Sequence, residues 1–145
     1  MVPLSGGPAD VPSIDLAWAI SRASGRVHLI LVYVVQVAQQ YPLDAYLPEQ
    51  VDAGERILRD AEEYARSHGG HQWASVTTAL LQARSAAAAI VDEAIERGAD
   101  AIIVGATNEM RYGELTQGKT VPYILDHAPC DVVVLRVAGE IRTAR

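Results

Sequence analysis

ADAIIVGA, residues 99–106, is the stretch on which the fold turns. Ala101 to Val104 are apolar without a break, rich in branched side chains, and bounded by Asp100 and Gly105. A short run of that kind reads as a strand buried on both faces, which is the habit of parallel sheets rather than of half-solvated antiparallel ones. HLILVYVV (28–35) and DVVVLRV (131–137) share the pattern, and WASVTTALL (73–81) is a fourth strand of more mixed composition. Val2 to Leu4, in the opening MVPLSGG, read as a short fifth.

Between the strands the apolar period changes to that of helices. Ile14, Ala17, Trp18 and Ser21 share a face in a helix over Val11 to Ser24. Val51, Gly54, Ile57, Leu58, Ala61 and Ala65 form a stripe in a second, flanked by charges that read as a solvated face. Ser85 to Arg97 is a third, stopped at Gly98, and Thr120 to His127 a fourth, closed by Pro129. Regular alternation of strand and helix predicts right-handed crossovers, hence a Rossmann-like α/β fold. Its open parallel sheet has five strands, with helices on both faces. Gln36 to Glu49 is longer than an ordinary connection and is expected to be mobile.

The bulk numbers agree with one compact domain over residues 1–145. A formal net charge of −6, with acidic residues concentrated in Asp52 to Glu63 and Asp92 to Asp100, leaves no basic stripe for nucleic acid or an anionic membrane. Cys130 is the single cysteine. It admits no internal disulfide or four-cysteine zinc site, fits a reducing cytoplasm, and reads as a small core residue. No apolar run is long enough to span a bilayer, and no signal peptide opens the chain. His68 and His71, in HGGH, form the one pair with metal-ligand spacing, but no third ligand accompanies them. They read instead as residues near the negative end of the second helix, and no metal is expected.

GELTQGKT, residues 113–120, satisfies the phosphate-loop pattern GxxxxGK[ST] in full. A true phosphate loop leaves its strand almost at once, whereas Thr107 to Tyr112 intervene here. The later strand that should supply a magnesium-binding carboxylate is VVVLRV, which has none at its end. A helix opening with GKT is still a ready anion site, because its first turn presents unpaired N–H groups and Lys119 adds a positive charge.

ADAIIVGA, then Gly118, then VPYILDHAPCDVVVLRV together resemble the last third of the universal stress protein family. That family typically shows a strand ending in Gly, the spacing G, two residues, G, nine residues, G, then Ser or Thr, and a helix closing with HAPC before the final strand. VPLSGG, the helix Val11 to Ser24 and HLILVYVV occupy the expected places, so the likeness covers nearly the whole chain. The resemblance implies an adenine nucleotide alpha hydrolase-like fold, and an adenine nucleotide, ATP, at the carboxyl edge of the sheet where strand order reverses. Gly105 matches the first glycine, Asn108 stands at the second, Gly118 is the third, Lys119 takes the Ser or Thr position, and Thr120 lies beside it. Pro3, Leu4, Ser5 and Val34 would border the adenine.

Three residues depart from the family pattern. Asn108 replaces a glycine, Ser5 stands where many nucleotide-binding members have Asp, and Pro122 has no N–H to offer a phosphate. Arg111 and Lys119 add positive charge in compensation. Nothing resembles a general base poised over a water, so no catalytic residue is assigned and efficient turnover is not expected. The resemblance also implies a homodimer through the edge strand Val132 to Val137. Two other readings stay open. One is a nucleotide-free dimeric interaction module, related to regulatory domains fused to membrane transporters; the other is a slow phosphate-loop nucleotide hydrolase using GELTQGKT.

Overall fold

The structure is a computed structural model that describes residues 1–106 and 119–138, together with the backbone of 107, 109–111 and 114–116. Along the chain run β1 (Val2–Leu4), α1 (Asp10–Ser21), β2 (Val27–Gln36), α2 (Pro48–Gly69), a 3-10 turn (Gly70–Gln72), β3 (Trp73–Ala83) and α3 (Ala86–Arg97). Then follow β4 (Ala101–Thr107), β5 (Glu109–Arg111), β6 (Glu114–Thr116), α4 (Thr120–His127) and β7 (Asp131–Val137).

The expected α/β architecture is present. β1, β2 and β3 pair in parallel in that spatial order, and β4 pairs in parallel with β7. The five strands form two ladders rather than one, because β1 has only three residues to share between two neighbours. Met1 bridges the ladders: its carbonyl accepts from the Ile103 N–H at 2.9 Å, and its ammonium donates to the Ala101 carbonyl at 2.9 Å. Burial pushes that amine below its ordinary pKa.

Continuous apolar strands have their explanation in the two cores. Leu29, Leu31 and Ile103 point to one side, where Ile14 and Ala17 of α1 and Leu58, Ala61 and Ala65 of α2 cover them. Val32, Ile102 and Val104 point to the other, under Ile90, Val91 and Ala94 of α3 and Ile124 of α4. Successive residues of one strand thus enter opposite layers, each full burial contributing about 1.5–3 kcal/mol. α3 starts at a Ser85 cap whose hydroxyl accepts from the Ala88 N–H at 3.2 Å, and it stops at Gly98 in the left-handed conformation, φ 62°.

One connection is filled in and one expectation changes. The connection from β2 to α2 is built of turns held from β3: the Gln82 amide donates to the Leu43 and Ala45 carbonyls, both at 2.9 Å, and the Arg84 guanidinium donates to the Val37 and Ala38 carbonyls. Between β4 and α4, where only a loop was expected, Glu109–Arg111 and Glu114–Thr116 form an antiparallel ribbon. Glu114, Leu115 and Thr116 of the GELTQGKT motif are therefore extended and paired, not curled around an anion as a phosphate loop requires. Among the described residues no helix is long and apolar enough to cross a membrane.

Candidate functional site

After β1 the chain passes outward to β2 and β3, then returns to the other side of β1 for β4 and β7. The carboxyl ends of β1 and β4 are therefore the point where strand order reverses, the favoured ligand position in open α/β sheets. The loop from β1 into α1 emerges there. Because β4 and β7 are parallel, the helix between them, α4, must begin at the same edge.

At the first of these places the chain supplies its own anion. Gly6, with φ 81°, turns the backbone so that the Ser5 and Gly6 N–H groups both face the Asp10 carboxylate, at 3.0 and 2.7 Å. The Ser5 hydroxyl lies 3.4 Å from the same carboxylate and accepts from the Gly7 N–H at 3.2 Å. Asp10 sits in the first turn of α1, where a negative charge is also favoured by the helix dipole. Sequence reasoning missed this residue. The available signal was an acid opening a helix just after Ser-Gly-Gly, able to reach back to the preceding amides.

Gly105 lies in β4 opposite Leu135 of β7. It matches the first glycine of the family pattern, and a Cβ there would stand 2.6 Å from the Ala9 Cβ and 2.8 Å from the Ser13 hydroxyl. The space is filled by α1, whose buried Ser13 donates to the Ala9 carbonyl at 2.7 Å. Leu4 is buried in the core beneath α1 and α2, and Val34 is half-buried against the α3 and α4 layer. Pro3 is half-buried, paired with Val32, and Ser5 is exposed.

At the head of α4 the arrangement differs. Lys119 occupies the N-cap position with no side-chain cap, is exposed, and has no ion-pair partner among the described residues. Thr120 and Val121 open the helix with amides that have no intrahelical partner, and Pro122 follows without an N–H. Two predicted site residues, Asn108 and Gly118, lie outside the described residues. The structure thus brings Ser5 and Gly105 to the carboxyl edge beside α1, and places Lys119 and Thr120 at the head of α4 on that edge.

The remaining candidates resolve simply. His68 Nδ1 bonds to the Tyr64 carbonyl at 2.9 Å and its ring stacks on Tyr64, at the end of α2. Among the described residues no group of three or more His, Cys, Asp or Glu side chains could hold a metal. Cys130 is half-buried against the α3 and α4 core, and burial raises its thiol pKa.

The family model described as "universal stress protein family" matches residues 2–136. Among solved structures, the chain resembles a universal stress protein from Archaeoglobus fulgidus in complex with dAMP, with a TM-score of 0.68 and 20% identity over 92% of this chain and 93% of that one. It resembles the universal stress protein UspA from Lactobacillus plantarum with a TM-score of 0.68 and 25% identity, covering 93% of this chain and 96% of that one. A universal stress protein in complex with cAMP gives 0.63 and 20% identity, with 94% of each chain covered. No curated protein matches the chain.

Proposed function

The chain belongs to the universal stress protein family, and from that membership we propose that it binds an adenine nucleotide, ATP, as a sensor or regulator without efficient turnover. Pro3, Leu4, Ser5 and Val34 border the adenine. Gly105, Asn108, Gly118, Lys119 and Thr120 take the ribose and phosphates, and the domain comprises residues 1–145.

The observation that carries this reading is the head of α4, where Lys119 is exposed and supplies no cap, and the Thr120 and Val121 amides have no intrahelical partner, at the carboxyl edge of the sheet. A helix N-terminus with an adjacent cation is the arrangement that phosphate seeks. The dAMP and cAMP complexes of structurally similar universal stress proteins support the choice of an adenine nucleotide. The protein acts in the cytoplasm, as a homodimer through β7. That strand pairs β4 along one edge and exposes Val134, an apolar edge suited to a second copy.

Calorimetric titration with ATP tests the proposal. The parent protein releases heat of binding, and Lys119→Ala and Gly118→Val weaken it. No heat from the parent at millimolar ATP overturns it.

A second reading is favoured by one feature. The β1 loop amides already hold Asp10 in place of a ligand, and Ser5 brings no carboxylate of its own. An interaction module that keeps the fold and the dimer but binds no nucleotide would look the same at that loop.

A further inference from the structure

A groove of about 360 Å³ lies between α1 and α2, at the end of the sheet away from the head of α4. Its volume falls within the range of small-molecule sites, about 300–1,000 Å³. Trp18, Tyr64 and Trp73 line it with aromatic rings, Asp15 adds a carboxylate, and Gly69 belongs to the last turn of α2. No lysine or arginine is among its lining residues.

Most electrostatic elements there favour a cation, His68 being the one basic side chain among the lining residues. Aromatic faces are negative, a carboxylate is negative, and the carboxyl end of a helix carries partial negative charge. Trp18 already receives a cation: the Arg22 guanidinium stands 4.8 Å from the ring centroid. Asp15 also acts on its neighbour, because the hydrogen bond from the Tyr64 hydroxyl to Asp15, 2.6 Å, raises the phenol pKa above its ordinary value.

The walls are held before any ligand arrives. The Trp73 indole N–H donates to the Ala65 carbonyl at 3.2 Å, and the Trp18 indole N–H reaches the Gly69 carbonyl at 3.4 Å. His68 stacks on Tyr64 with ring centroids 4.0 Å apart. Since the Tyr64 carbonyl can only accept, His68 carries its proton on Nδ1. Preorganised walls lower the entropy cost of binding.

We infer that this groove binds a small organic cation of the alkylammonium class, with its charged head against the aromatic rings and beside Asp15. A metal ion would keep its water and find one carboxylate, whereas a trimethylammonium group is weakly hydrated and suits ring faces. The site is separate from the proposed nucleotide site and does not depend on it.

Choline chloride is the probe, followed by tryptophan fluorescence and calorimetry at constant ionic strength. Two controls run beside it: sodium chloride, and the neutral isostere of choline in which a tert-butyl group replaces trimethylammonium. Choline should give a saturable signal that sodium chloride does not, with the isostere about tenfold weaker. Asp15→Asn should weaken choline about tenfold, and Tyr64→Phe, which keeps the ring, should change it less than about threefold. Trp18→Leu should abolish the signal from choline; if circular dichroism shows that this variant fails to fold, Asp15→Asn decides alone. Absence of saturation by choline, equal binding of the isostere, or an unchanged Asp15→Asn variant overturns the inference.

Discussion

In the loop leading into α1, the Ser5 and Gly6 amides donate to the Asp10 carboxylate at 3.0 and 2.7 Å. At the head of α4, no side chain among the described residues caps the helix and the neighbouring charge is Lys119. Both heads stand at the carboxyl edge of the same sheet, and both offer what an anion seeks. In the loop before α1 the chain meets the demand from within, which fixes the turn after β1 and removes those loop amides from competition for a ligand, although α1 has no side-chain cap of its own. At α4 the described residues leave it open. Proximity to the switch point therefore does not identify a phosphate site; the state of the amides there does.

Gly105→Val offers the largest effect with which to break this comparison. It forces a side chain into the contact between β4 and the head of α1, where even a Cβ would lie 2.6 Å from Ala9. Overpacking of this kind costs about 1–3 kcal/mol. Chemical denaturation should show a lowered midpoint, and an unchanged midpoint would mean that α1 does not pack as closely as described.

Asp10→Ala comes next. Removing two charge-assisted bonds to exposed amides should cost about 1–2 kcal/mol in the same assay while leaving ATP affinity in place. Loss of ATP binding in a folded Asp10→Ala protein would show that the two heads are not independent.

Lys119→Ala should weaken ATP about fivefold, since one point charge near a helix start contributes about 1 kcal/mol. Added salt should narrow the gap between parent and variant, because the lysine is exposed. Smallest of all, Pro122→Ala restores an N–H to the first turn of α4 and should tighten ATP about twofold, an increment of about 0.5 kcal/mol at a solvated helix end. Weaker binding by that variant would place the phosphates elsewhere.

The layered fold could be read in advance because burial on both faces leaves a mark on composition. Ile102, Ile103 and Val104 enter alternating cores, and no polar residue can interrupt such a run. Ser85 and Gly98 likewise announce the two ends of α3 by local chemistry alone. What escaped notice depends on partners far away in sequence or on elements too short to show a period. β5 and β6 have three residues each, and the bridge between ladders is made by the backbone of Met1. Gln82 and Arg84 hold a loop from which they are separated by dozens of residues.

The candidate site divides along the same line. The glycine at 105 was legible only as the first glycine of the family pattern; that its neighbours are Ala9 and Ser13 follows from the packing of α1. Asp10 resembled any first-turn acid until the turn at Gly6 aimed two amides at it. Lys119 and Thr120 were found from their place at a helix start, which is a local property.

Backbone amide chemical shifts during an ATP titration test the contrast between the two heads most directly. The account predicts that the Thr120 and Val121 amides move in a saturable way while Gly6, held by Asp10, moves far less. A large shift at Gly6 with none at Thr120 and Val121 would contradict it.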